Sequence, residues 1–145
     1  MRVMVLVKAD ENSEAGALPD EKTLTEMGKF NEELVRAGVM LAGEGIQASS
    51  KGARVRFGKG TKPTVFDGPF TEAKELIAGF WLWQVKSMEE AIEWLKRAPF
   101  QDTEVEIRPV FESTDFAPSD PTGELMAAEE RLRAQSEQLN KAARR

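Results

Sequence analysis

The chain of 145 residues contains neither cysteine nor histidine. The first absence removes disulfides and thiol nucleophiles. The second removes the commonest general acid–base near neutral pH, along with His–Asp dyads and imidazole ligation of zinc or haem. No cofactor and no metal are expected. Long apolar runs are missing too. The longest, residues 76–83, falls far short of the roughly 20 residues that a membrane-spanning helix needs. No signal-peptide pattern precedes the strand-like run after Met1-Arg2, so the simplest expectation is a cytoplasmic protein. Excess positive charge is absent as well. A net charge of −5 gives no electrostatic case for nucleic-acid binding.

What remains is a globular composition of a length that makes one domain the default. Residues 3–7 form a β-branched apolar run and predict a strand. Residues 9–19 read as a polar loop. Leu24, Met27, Phe30, Leu34 and Val35 recur at helical spacing, so a helix is expected over 20–37, with Gly38 as its stop. Strands follow at 39–46 and 77–85, with a hairpin of 53–57 and 64–66 between them around Gly58-Lys59-Gly60. Ser87-Met88-Glu89-Glu90 has the form of a capping box for a helix over 88–98, which Pro99 ends. A last strand covers 104–110.

Without the hairpin the order is βαββαβ, an α+β, ferredoxin-like unit. Right-handed crossovers place the strands at 3–7 and 77–85 in the centre of the sheet, and both are apolar on two faces. Two helices cover only one face. A second subunit is the economical cover for the other. Residues 1–112 thus form the domain, and 113–145 form an extension: a Pro-, Ser- and Asp-containing linker, then a helical segment over 121–141. Leu125, Leu132 and Leu139 lie seven apart there, alternating with Ala128, Gln135 and Ala142. These three weak heptads fit local docking, or fraying, better than a partner-binding coiled coil.

The most informative stretch is Asp67-Gly68-Pro69-Phe70-Thr71-Glu72-Ala73-Lys74-Glu75, a stiff corner holding four charged side chains. It resembles the signature of the DGPF proteins, a branch of the YciI-related family. Phe30-Asn31-Glu32-Glu33-Leu34, Ala37-Gly38-Val39, Gly43-Glu44-Gly45 and Glu106-Ile107-Arg108-Pro109-Val110 resemble that family in the same order. The resemblance covers residues 1–110. It implies a homodimeric α+β barrel in which two sheets face each other. The proposed active centre of better-known small members is a His/Asp pair. This chain lacks the histidine, so only Asp67 is left of that pair. Family members are often encoded beside extracytoplasmic-function sigma factors, which implies a stress- or transcription-linked role through a regulatory partner.

Among candidate site residues, Asp67 beside Phe66, Pro69 and Phe70 would have a raised pKa, suiting acid–base work. The competing reading is that its side chain caps the turn. Glu106 and Arg108 share a face of the last strand, opposite Val105 and Ile107, and so point to the barrel interior or dimer seam, as an ion pair or a ligand clamp. Glu44 lies between glycines that permit close backbone approach or shape a bulge. Glu72, Lys74 and Glu75 read as a solvated turn, with Lys74 and Glu75 the pair more apt to point inward. Lys51, Arg54, Arg56, Lys59 and Lys62 form a basic stretch with no acidic residue from 51 to 66, either a solvated hairpin or an attractor of an anion or an acidic surface. Gly58-Lys59-Gly60-Thr61-Lys62 lacks the spacing of a phosphate loop. Trp81 and Trp83 share one strand face, as aromatic core or as the lining of a ligand cavity.

Three functions fit. The first is a small-molecule enzyme in the barrel cavity, with Asp67 as acid or base, Arg108 and Lys74 holding an anionic group and Glu106 orienting Arg108. The second is a regulatory dimer that binds a small anionic or aromatic ligand, or a partner. The third is a scaffold whose signature only builds the corner. The missing histidine favours the second.

Overall fold

The computed structural model of the chain describes residues 1–144, except for the Lys74 side chain. Two compact units divide it, Met1–Pro109 and Val110–Arg145. The first contains β1 (Arg2–Lys8), α1 (Glu11–Glu14), α2 (Glu21–Arg36), β2 (Met40–Gly45), β3 (Ala53–Arg56), β4 (Thr64–Asp67), β5 (Ile77–Gln84), α3 (Met88–Lys96) and β6 (Val105–Pro109). Four strands form an antiparallel sheet in the order β2-β5-β1-β6, and β3-β4 form a separate two-stranded ribbon. This is the ferredoxin-like α+β arrangement with an inserted hairpin, and the two doubly apolar strands are central.

Strand alternation sorts the sheet's side chains. Val3, Val5, Trp81 and Trp83 are buried on one face, with Phe30 and Leu34 of α2 and Ala91 of α3 packed against them. Phe30 meets both tryptophan rings edge-on, at centroid separations of 5.8 and 6.3 Å. The Trp81 indole N–H donates to Asn31 Oδ1 at 2.9 Å. Gly43 lies across from Trp81, and a Cβ there would come within 2.6 Å of the indole, so glycine is what lets β2 approach. A register shift in β2 falls between Met40 and Ala42. The tryptophans are core.

Helix ends follow local chemistry. Asp20 caps α2 by accepting the Thr23 N–H at 2.8 Å. At the other end Gly38 adopts φ +72°, Gly38 N–H donates to Val35 O and Val39 N–H to Leu34 O, which is a Schellman motif. Ser87 caps α3 by accepting the Glu90 N–H, while Glu90 reaches back to the Lys86 N–H. Of the expected apolar stripe of α2, Leu24 and Val35 are exposed. One expectation is corrected. The polar loop over 9–19 contains a helical turn, α1, closed by a reciprocal cap between Asp10 and Ser13. Four residues are too few to show a helical period.

In the second unit, α4 (Glu124–Ala143) begins three residues later than the sequence suggests. Gly123 takes a left-handed φ of +76°, and buried Asp120 accepts the N–H groups of Leu125 and Met126 at 3.1 and 2.9 Å. Phe111 and Phe116 stack at 5.0 Å in the segment before it. Leu125, Leu132 and Leu139 are all exposed. Among the described residues, no helix is long and apolar enough to cross a membrane.

Candidate functional site

The short helix α1 ends on Glu14, and its carboxylate turns onto the turn that follows β2. Glu14 Oε1 accepts the Ser49 N–H at 2.9 Å, and Oε2 accepts the Ser49 hydroxyl. Those bonds hold the Glu14 carboxyl below its usual pKa, the hydroxyl contributing most, the backbone N–H next, with burial opposing weakly. Ser49 Oγ also accepts the N–H of Phe70, at 3.0 Å. One serine thus ties α1 to the Gly68-Pro69-Phe70 corner.

That corner wraps tightly around the same turn. Gly68 N–H donates to Gly52 O at 3.0 Å, and a Cβ on Gly68 would lie 1.8 Å from the Ser49 carbonyl oxygen. The Gly68-Pro69 peptide is cis. Phe70 carries the Arg54 guanidinium over its ring at 3.8 Å, and Phe66 carries that of Arg56 at 4.6 Å. Ile46 continues the β2–β5 pairing through its N–H to Ala78 O, and Ala9 N–H reaches Leu76 O.

These pieces enclose an open pocket of about 580 Å³ at the root of the ribbon. Ile46, Leu76, Ile77 and Phe70 supply apolar wall; Lys51 and Arg54 supply positive charge; Glu14, Gln47 and Ser49 supply hydrogen-bonding groups. The arrangement suits an amphipathic organic ligand. Among the described residues, no cluster of Asp, Glu, His or Cys is arranged to hold a metal ion.

None of the carboxylates singled out from the sequence lines this pocket. Asp67 ends β4 opposite Ala53, and it is exposed rather than surrounded by apolar groups. Glu75 sits in a 3-10 turn, Ala73–Glu75, and is exposed, as a solvated turn implies and an inward-pointing side chain does not; the Lys74 side chain lies outside the described residues. Glu44, Glu106 and Arg108 are elsewhere, on the sheet face opposite the helices. Glu44, Phe80, Leu6 and Glu106 form one cross-strand row there, and Ala42, Leu82, Met4 and Arg108 form the next. Acidic side chains thus bracket an apolar centre in the first row, and Arg108 closes the second. Glu106 pairs with Lys8 at 3.3 Å and approaches Arg108 at 3.9 Å. Val105 and Ile107 pack toward the helices, as the alternation implies.

Sequence reasoning missed Glu14, Ser49 and Lys8. Glu14 bonds a residue 35 positions away and Ser49 one 21 positions away, so no local spacing announces them. Lys8 was legible in principle, as the polar end of an otherwise apolar strand.

Comparisons with known proteins bear on the family. The description of the YCII-related domain matches residues 1–114. An uncharacterized protein of Rhizobium meliloti (strain 1021) is 29% identical over 94 residues, which are 63% of this chain and 75% of that protein. The solved structure of 5-chloro-2-hydroxyhydroquinone dehydrochlorinase from Burkholderia phenoliruptrix AC1100, in complex with 2,5-dihydroxybenzoquinone, superposes with a TM-score of 0.44 and 14% identity. That superposition covers 77% of this chain and 95% of the dehydrochlorinase.

Proposed function

The chain belongs to the YCII-related domain family, and from that premise we propose a homodimeric, small-molecule-binding protein with a regulatory or stress-linked role. The observation that carries this reading is the pocket at the ribbon root, where apolar wall, two cations and hydrogen-bonding groups meet. The homodimer is supported by the open sheet face. Met4, Leu6, Phe80 and Leu82 are only half-buried there, and α2 and α3 both lie on the other side. Glu14 favours binding over proton transfer. Its two oxygens accept bonds that stabilise the charged form, which makes it a weaker base.

The catalytic alternative uses Asp67 as acid or base. Its exposure at the end of β4 leaves the carboxylate accessible to a substrate or a partner. Thermal-shift screening of small anionic and aromatic metabolites against the wild type and Asp67→Asn separates the readings. Hits that stabilise both proteins equally place the ligand away from Asp67. A hit lost in Asp67→Asn implicates that carboxylate in recognising a polar group of the ligand, since the amide lacks its charge. A screen without hits argues against a small-molecule site and for a protein partner.

A further inference from the structure

We infer that the pocket selects a small carboxylic acid: an apolar body carrying one carboxylate, which Arg54 grips. The inference rests on the small-molecule reading above and adds the chemistry of the ligand. Arg54 is the anchor for three reasons. Its guanidinium carbon sits over the Phe70 ring, 3.8 Å from the centroid, a cation–π contact that favours this position before any ligand arrives. A guanidinium carries its N–H donors in its own plane, and two of them can make parallel bonds to one carboxylate. Its charge is also uncompensated along its own chain segment, because no acidic residue occurs from 51 to 66.

The wall selects the rest of the molecule. Ile46, Leu76 and Ile77 offer apolar surface but no partner for a sugar or a second charge. Glu14, the only carboxylate lining the pocket among the described residues, disfavours a dianion. Its oxygens already accept two bonds from Ser49, and an ionised carboxylate offers about four acceptor sites. Glu14 therefore has capacity for a ligand hydroxyl or amine. Lys51 adds a second positive charge to the pocket wall, and Arg56, Lys59 and Lys62 extend the positive field along the ribbon, raising the local concentration of anions on a chain of net charge −5.

The probes are benzoate, 4-hydroxybenzoate and neutral benzyl alcohol, titrated into the isotope-labelled full chain and followed by the backbone amides of Ser49, Gly52 and Phe70. The variants are Arg54→Met and Arg56→Met. Both remove one charge from the ribbon, but Arg56 stacks on Phe66 and does not line the pocket. Benzoate should shift these amides, bind at least 10-fold more tightly than benzyl alcohol, and weaken as salt rises. Arg54→Met should weaken benzoate at least 10-fold, while Arg56→Met changes it less than 2-fold. The hydroxyl of 4-hydroxybenzoate should add affinity. Equal binding of benzoate and benzyl alcohol would overturn the acid selectivity yet leave a small-molecule pocket. Equal weakening by the two variants would overturn Arg54 as the anchor. Absence of shifts at these amides with every probe would overturn the pocket reading and the inference together.

Discussion

Replacing Gly68 by alanine should destabilise the first unit through one defined collision. The added Cβ would lie 1.8 Å from the Ser49 carbonyl oxygen and 2.6 Å from its carbon, where ordinary contact begins at 3.4 Å. Both neighbours are backbone, so no rotamer change relieves the clash, and the corner must move by more than an ångström. Such overpacking costs about 1–3 kcal/mol. The movement also stretches two hydrogen bonds, Gly68 N–H to Gly52 O and Phe70 N–H to Ser49 Oγ, each contributing about 1 kcal/mol. A net loss of about 2–4 kcal/mol lowers the melting temperature of a domain this size by roughly 8–16 °C. The matched control is Gly28→Ala. Gly28 is interior to α2, and an added Cβ there meets nothing within 4 Å, so it should stabilise by about 0.5–1 kcal/mol. Calorimetry gives both values, and amide exchange at Gly68 and Phe70 shows whether the loss is local. If Gly68→Ala melts within about 2 °C of wild type and both amides stay protected, the close approach at Ser49 is not as described.

Three further outcomes are expected. Leu82→Asp puts a charge on the open sheet face and should yield a folded monomer by light scattering, whereas Trp81→Asp buries its charge under α2 and should not fold; a Leu82→Asp protein that remains dimeric at micromolar concentration would rule this seam out. A chain ending after Ala117 keeps the family-matched residues 1–114 and should retain the melting temperature of the first unit; an insoluble product would make the tail part of the core. Because Ser49 depresses the Glu14 pKa, ionised Glu14 stabilises the fold above its unfolded pKa, and that contribution disappears as pH falls through the lower folded value. The stability gap between wild type and Glu14→Gln should therefore narrow as pH falls below the ordinary glutamate pKa, and a gap independent of pH would show that the carboxylate's charge is not what Ser49 holds.

The sheet was readable from the chain because each of its features has a local cause. Val3 and Val5 alternate with Met4 and Leu6, and Trp81 and Trp83 with Phe80 and Leu82, so two central strands with two apolar faces were visible as such. Gly38 marked the end of α2 because the Schellman bonds require its positive φ. The site was far less readable. Its hydrogen bonds join α1, the turn after β2 and the corner after β4, three segments that only the fold brings together. Arg54 was visible as a charge in a basic stretch. Its stacking on Phe70 was not, because nothing in Arg-Val-Arg specifies which aromatic the guanidinium finds.

The corner divides its labour in a way that its sequence alone conceals. Gly68 and Phe70 face the Ser49 turn, through a close backbone approach, a hydrogen bond and a platform for Arg54. Asp67, one residue earlier, pairs with Ala53 through the ribbon and leaves its side chain in solvent. A short polar side chain that only shaped the turn would be replaceable by Asn at little cost, because the amide retains an acceptor oxygen. A glycine whose added Cβ would collide with backbone is replaceable only if the corner itself moves. Constraint at Gly68 therefore speaks for the architecture that shapes the pocket wall, and any requirement for the carboxylate of Asp67 speaks for chemistry outside it. Asp67→Asn and Gly68→Ala consequently act on separable properties, charge at an exposed site and geometry at a packed one, although the two residues are adjacent.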